Sequence, residues 1–265
     1  MAAAGIPFVV LDRPNPLGGT GVAGFVLEPA HRSFVGQYPI PISHGMTVGE
    51  LATMIKGEHW LPGLQSLQLS VVRCKNWTRD QLWPATGLPW VATSPNIPTF
   101  ASALTYPGIG VIGNTLVNEG CGTPAPFTQF GAPWLAAAQT AAHLNSQQLS
   151  GVRFDATAYT PQAIANIAPN PRFKGQYIGA VRVVVTDIAR YRPVDVGVHV
   201  LAALQHKATS RGVELFGGLS MFYAISGTRR LHQMVVAGAS GNEIAASWSD
   251  DVSQFRERRL PYLLY

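Results

Sequence analysis

The short run Phe8 to Leu11, with the sequence FVVL, strongly constrains the fold of this chain. Consecutive apolar, largely β-branched residues are typical of a strand that is covered on both faces. Asp12 and Arg13 follow directly, and two prolines then hold Asn15 between them. Ligands bind at the carboxyl ends of strands in open α/β sheets. The run therefore predicts an α/β fold with a polar, ligand-binding edge, and an ordinary solvated turn is the alternative.

Strand and helix patterns alternate along the rest of the chain. Thr47 with Glu50, and Ser240 with Glu243, form capping boxes, which predict helix starts. The other patterns predict strands over 66–74, 151–159 and 177–187, helices over 134–144 and 194–208, and a short helix from Thr160. Residues 83–133 are rich in Pro and Gly and predict a long irregular segment, which is often functional.

Composition excludes several classes of protein. The chain has 265 residues, and no apolar run is long enough to span a bilayer. The net charge is +5, but the basic residues are scattered, so we expect no nucleic-acid partner. Cys74 and Cys121 lack the spacing of a metal site or a disulfide framework, and no phosphate-binding loop is present, so we expect neither metal nor cofactor.

The loop TLVNEGCGTPAPF carries the richest chemistry of the chain. Its Glu119 lies between Asn118 and a glycine that allows a ligand to approach the backbone closely. Such a carboxylate can bind sugar hydroxyls or act as an acid or base, and a plain surface turn is the alternative. Glycosidases usually need two carboxyl groups, and Asp12 and Glu119 are the candidates.

Two further polar residues are held in rigid surroundings. Asn96 lies in the run SPNIP, and a rigid amide can recognise sugar hydroxyls and acetamido groups. His44 precedes the helix that Thr47 caps, where a side chain can meet an anion or a hydroxyl. Bracing of its own loop is the alternative role for His44.

Several motifs resemble those of one bacterial family in order and spacing. They are VVLDRPNPLGG, FVGQYPIPISHGMTVGELA, WVATSPNIPT, YPGIGVIGNTLVNEGCGTPAPFTQFGAPW and RRLPYLLY. Together they make the chain similar to the DUF1343 family, which includes exo-β-N-acetylmuramidases of the NamZ type. The resemblance implies hydrolysis of terminal N-acetylmuramic acid from peptidoglycan fragments, with peptidoglycan-derived amino sugars as partners. Most family members are exported, but the start of this chain has no recognisable signal peptide, which leaves the compartment open.

The resemblance also implies an architecture and a sugar-binding cleft. We expect the remainder of a Rossmann-like domain over 1–130, followed by a smaller α/β or α+β domain over 131–265. Glu119 is expected to support catalysis or to act as the acid/base. The residues expected to line the cleft are Asp12, Arg13, Asn15, His44, Asn96, Asn118 and Thr123. In particular, Asn15, Asn96 and Glu119 should meet in one pocket near the end of the first strand, with His44 entering from its helix.

The chain departs from the family pattern in three places. The family's loop usually reads SEGRGT, where this chain has Cys121 in place of the arginine. Ser43 likewise replaces an arginine before HGMT, so two cations that can meet a lactyl carboxylate are absent. Family members also carry a PEHG-like segment, before the LDRPNP strand, that we do not find here. We therefore expect the chain to lack the N-terminal part of the first domain, and an inactive remnant that at most binds amino sugars is the alternative function.

Overall fold

A computed structural model describes residues 2–265 of the chain. The strands are β1 (Phe8–Leu11), β2 (Ala23–Val26), β3 (Pro41–Ser43), β4 (Leu69–Val72), β5 (Gln129–Ala132), β6 (Val152–Tyr159) and β7 (Ile178–Val185). The helices are α1 (Val48–Gly57), α2 (Phe100–Ile112), α3 (Ala137–Ser146), α4 (Pro193–Ser210), α5 (Leu219–Ser226), α6 (Arg230–Val236), α7 (Gly241–Ala246) and α8 (Ser249–Arg259). Both predicted capping boxes are confirmed, at the starts of α1 and α7.

The strands form three small sheets. β1 and β4 are parallel, with Phe8 opposite Leu69 and Leu11 opposite Val72. β2 and β3 are antiparallel, and β5, β7 and β6 form an antiparallel sheet in that order. The predicted mixture of helices and sheets is confirmed, and the predicted domain boundary after residue 130 falls inside β5.

The prediction that β1 is covered on both faces is wrong for the described residues. Phe8, Val9 and Leu11 are 39%, 56% and 74% exposed, and only Val10 is half-buried. The reason is that β1 pairs with β4 alone in this structure. Helix α1 packs against this pair of strands, but the apolar side chains of β1 remain largely exposed.

The predicted irregular segment contains a regular helix, α2. Thr99 caps it by accepting a hydrogen bond from the backbone N–H of Ser102 at 3.1 Å. Pro107 lies inside this helix, although a proline in a helix interior removes a backbone hydrogen bond and disfavours the helix. Tertiary packing outweighs that penalty, because Gly108 and Gly197 bring the backbones of α2 and α4 into direct contact. The short helix predicted from Thr160 is absent, since residues 160–163 have no regular structure.

The core surrounds α4, which buries an apolar face that includes Val194, Val198, Leu201 and Leu204. The C-terminal end of the chain returns to the first strands: α8 packs on β2, and the last residues reach α1 and β1. No helix among residues 2–265 has both the length and the apolar character needed to cross a membrane.

Candidate functional site

Glu119 lies at a cavity of about 300 Å³ where three loops meet. The loop around Asn96, the loop around Glu119 and the segment before β7 supply its walls. The lining residues are Asn96, Gly113, Glu119, Cys121, Ile167, Ala168, Pro169, Asn170, Pro171 and Arg172. The structure brings Asn96 and Glu119 together at this cavity. The prediction that Asn15 meets them in one pocket at the end of the first strand, with His44 entering it, is wrong, because among the described residues the lining includes neither Asn15 nor His44.

Asn118 organises the loop that carries Glu119. Its side chain is fully buried, and its amide nitrogen donates to the carbonyl oxygens of Cys121 and Arg172 at 3.1 and 2.9 Å. Its Oδ1 accepts from the backbone N–H of Gly120 and the hydroxyl of Tyr159, each at 2.7 Å. Asn118 was predicted to bind substrate, but here its amide is fully used in holding two walls of the cavity together.

Two glycines allow this loop to pack tightly. Gly120 and Gly122 have φ angles of +87° and +80°, which residues with a side chain rarely adopt. A Cβ on Gly122 would lie only 2.6 Å from Cγ of Pro171, so glycine is required for the loop to contact the segment that carries Arg172. Thr123 completes the turn: its hydroxyl donates to the carbonyl of Gly120 at 2.7 Å and accepts from the Gln129 amide at 3.0 Å.

Burial and the nearby Glu119 carboxylate raise the pKa values of two groups around the cavity. The Cys121 thiol is hydrogen-bonded to Glu119, and burial together with the nearby carboxylate raises the thiol pKa far above its ordinary value. Cys121 is therefore a neutral thiol and not a thiolate nucleophile. Burial, and to a smaller degree Glu119, also raise the pKa of Tyr159, which keeps its phenol protonated.

Asn96 links two walls of the cavity. Its amide nitrogen donates to the carbonyl oxygen of Ile167 at 3.2 Å. Its Oδ1 accepts no hydrogen bond from residues 2–265, so that oxygen can accept one from a ligand. Asn170, three residues after Ile167, is exposed and lines the same cavity.

Asp12 lies elsewhere, at the N-terminus of α1. Its two carboxylate oxygens accept from the backbone N–H groups of Arg13 and Gly49 at 3.0 and 2.8 Å, and from the hydroxyls of Thr47 and Tyr265 at 2.7 and 2.8 Å. This carboxylate is used to hold a helix end, and it does not line the cavity of Glu119. The Arg13 residue itself is exposed.

Asn15 and His44 support the same region as Asp12. The Asn15 amide donates to the carbonyl of Met46 and accepts from the N–H of Leu17, both at 3.0 Å. Nδ1 of His44 accepts from the N–H of Met46 at 3.1 Å, which places the ring proton on Nε2. Burial, with a smaller contribution from Arg259, lowers the pKa of His44 to about 4. The bracing role of His44 is thus the one seen, although His44 also lines a separate cavity of about 460 Å³.

Sequence reasoning missed Asn170 and Arg172 in the cavity wall. They lie in the run APNPRFKG, whose proline–asparagine–proline pattern is the same kind of signal that singled out Asn15 and Asn96. Among residues 2–265, no three His, Cys, Asp or Glu side chains are grouped closely enough to hold a metal ion.

Two family models together match nearly the whole chain. The model described as exo-β-N-acetylmuramidase NamZ, N-terminal, matches residues 1–101, and its C-terminal counterpart matches residues 104–265. The expectation that the N-terminal part of the first domain is missing gains no support, because models of both parts match.

Known proteins agree with these matches. A peptidoglycan β-N-acetylmuramidase NamZ of Bacillus subtilis is 37% identical over 261 residues, which cover 98% of this chain and 60% of that protein. The chain thus spans less than two thirds of that relative. Two crystal structures of DUF1343 family proteins from Bacteroides fragilis cover 100% of this chain, at TM-scores of 0.90 and 0.75 and identities of 32% and 31%. The chain covers 68% and 67% of those two proteins.

Matches to both parts of one family, with a relative and two solved structures that share about a third of their residues with it, show that this chain belongs to the exo-β-N-acetylmuramidase NamZ family.

Proposed function

We propose that the chain acts as an exo-β-N-acetylmuramidase, which releases terminal N-acetylmuramic acid from peptidoglycan fragments. The observation that carries the proposal is the cavity that brings Glu119 together with Asn96 and Asn170. A carboxylate beside two amides suits a sugar with several hydroxyls and an acetamido group. The B. subtilis relative is described as a peptidoglycan β-N-acetylmuramidase, and that description supports the same substrate class.

In this proposal Glu119 transfers the proton at the glycosidic oxygen, or supports the group that does so. A glycosidase acid must lie within hydrogen-bond reach of the leaving oxygen, and only a side chain that lines the binding cavity meets that requirement. Glu119 does, and its carboxylate lies against the Gly113 end of α2, where a Cβ would come within 2.9 Å of Cδ. Asp12, with all its hydrogen bonds made at α1, is proposed only to hold that helix in place.

Release of 4-nitrophenol from 4-nitrophenyl β-N-acetylmuramide tests the activity. We expect turnover by the chain and a loss of roughly 100-fold or more in Glu119→Gln, since general acid–base catalysis contributes about that much. Glu214→Gln is the matched control, because Glu214 is exposed and lies outside the cavity. Equal loss in both variants would contradict the role of Glu119.

An inactive protein that binds amino sugars is the second candidate function. It is favoured by the single carboxylate among the described residues of the cavity, where glycosidases usually use two. Titration with N-acetylmuramic acid, monitored by NMR, distinguishes the two. Binding without release of 4-nitrophenol would support the second candidate, and release would exclude it.

We also infer that β1, α1 and β4 belong to a Rossmann-like unit. Parallel β1 and β4 are separated in the chain by β2, β3 and α1. Helix α1 contacts both strands, as the helix of a βαβ crossover does. The exposed apolar side chains of β1 are consistent with a strand from a larger sheet.

A further inference from the structure

We propose that Arg172 recognises the lactyl carboxylate of N-acetylmuramic acid and so sets the preference of the cavity for this sugar over N-acetylglucosamine. The two sugars differ only in the lactyl ether on O3, which adds one carboxylate. The inference rests on the proposed function, because it concerns the same cavity and the same substrate class.

Arg172 is the cationic side chain among the described residues that line the cavity of Glu119. Within residues 2–265, no carboxylate forms an ion pair with its guanidinium, and no protein acceptor takes a hydrogen bond from it. Other arginines of the described residues are already paired with carboxylates, such as Arg79 with Glu50 and Arg258 with Glu58. Arg172 therefore keeps all five of its N–H donors for a ligand.

The backbone of Arg172 is held in place although its side chain is exposed. Its carbonyl oxygen accepts from the buried amide of Asn118 at 2.9 Å, and the preceding Pro171 is buried against Gly122. The guanidinium thus extends from a fixed backbone position in the same segment that Asn96 contacts through the carbonyl of Ile167. A planar guanidinium binds a carboxylate with two parallel hydrogen bonds, which gives both direction and strength.

Arg172 improves the charge balance of the cavity for such a ligand. Glu119 lines the same cavity as a carboxylate, and Cys121 is a neutral thiol because its pKa is raised. A second carboxylate brought in by the sugar would meet only the charge of Glu119 if Arg172 were absent. Arg172 offsets that repulsion for N-acetylmuramic acid and offers no such gain to N-acetylglucosamine.

Affinities for three methyl β-glycosides test the inference on the full chain by calorimetry or NMR titration: N-acetylmuramic acid, its lactyl methyl ester and N-acetylglucosamine. We expect Arg172→Met to weaken binding of the acid by about 10- to 100-fold, and to leave the ester and N-acetylglucosamine within about 2-fold. Arg172→Lys should keep part of the preference, because a single charge remains. Arg211→Met is the matched control, since Arg211 is exposed and outside the cavity.

A relocated cation provides a second, independent readout. Cys121 lines the same cavity, so Cys121→Arg in the Arg172→Met background should restore part of the preference for the acid. Full preference for the acid in Arg172→Met would overturn the inference. Failure of the unaltered chain to bind any of the three sugars would overturn the proposed function as well. Equal affinity of the unaltered chain for the acid and for its methyl ester would overturn only the role of the carboxylate.

Discussion

His44 is neutral in the folded protein, and this makes stability depend on pH. Its pKa falls from 6.5 to about 4 on folding, mainly through burial and secondarily through Arg259. Between those values the unfolded chain binds more protons than the folded one. The contribution of neutral His44 to stability is therefore fully present above pH 6.5 and is lost as the pH falls to about 4. We expect the free energy of unfolding to drop by up to about 3 kcal/mol from this group, measured by urea denaturation between about pH 4 and pH 7.

His44→Asn isolates this contribution from the titration of carboxylates. The Oδ1 of asparagine can accept the N–H of Met46 in place of Nδ1, but it does not titrate. The variant should lose less stability on acidification than the unaltered protein, by about 3 kcal/mol at most. Identical pH profiles for the two proteins would show that His44 is not buried as a neutral group.

At the residue scale, the sequence identified side chains but not their partners. Asn96 and Glu119 were recognised from rigid neighbours, and they do meet at one cavity. Asn118 carries the same signal, yet its amide is used up by carbonyl oxygens of Cys121 and Arg172. Whether a polar group faces a ligand or the backbone depends on contacts as many as 54 positions apart, and a local pattern does not contain them.

At the scale of elements, the two capping boxes offer a direct comparison. Thr47 is 1% exposed, accepts from the N–H of Glu50 and donates to Asp12 at 2.7 Å, whereas Ser240 is exposed. Thr47→Ala should cost about 2 kcal/mol or more of unfolding free energy, and Ser240→Ala about 1 kcal/mol or less. Thermal and urea denaturation of both variants measure the difference. Equal costs would mean that the bond to Asp12 contributes nothing beyond the cap.

Helix α2 shows why some elements could not be predicted. Thr99 gives an ordinary start signal, but Pro107, Gly108 and Gly110 read as breakers within the next turns. Gly108 lies against Gly197 of α4, and a Cβ on Gly197 would come within 2.4 Å of Cα of Gly108. The residues that weaken the local helix signal are those that permit close packing between helices, and that gain is visible only in the folded chain.

Strand β1 presents an apolar surface that should promote self-association. Val9 and Leu11 are 56% and 74% exposed beside Val72, which is 54% exposed. We expect the chain to self-associate in sedimentation velocity, and Val9→Thr with Leu11→Thr to reduce the association while keeping strand propensity. Phe34→Ser is the control, because Phe34 is 98% exposed but lies outside β1. A monodisperse unaltered protein would contradict this prediction.

At the scale of the whole molecule, the last residues join the two ends of the chain. The N–H of Leu264 donates to the buried carboxylate of Glu50 at 2.8 Å, and that carboxylate also pairs with Arg79. The carbonyl of Tyr265 accepts from Nε of Arg79 at 3.2 Å. Buried charges are tolerated only when such partners are complete. The C-terminal motif RRLPYLLY was recognised from resemblance, but its role as the partner of α1 follows only from the structure.

Tyr265 should therefore contribute to stability far beyond its position at the terminus. Its hydroxyl donates to Asp12 and accepts from the N–H of Cys74, both at 2.8 Å, and its ring packs edge to face on Trp77 at 5.0 Å. Tyr265→Phe leaves both partners unsatisfied and should cost about 1–3 kcal/mol, while removal of Leu264 and Tyr265 should cost more than about 3 kcal/mol because Glu50 and Arg79 also lose bonds. Tyr177→Phe is the matched control, since Tyr177 is 75% exposed and should change stability by less than about 0.5 kcal/mol. If urea denaturation gives Tyr265→Phe the same midpoint as Tyr177→Phe, the terminal tyrosine does not join the two ends of the chain.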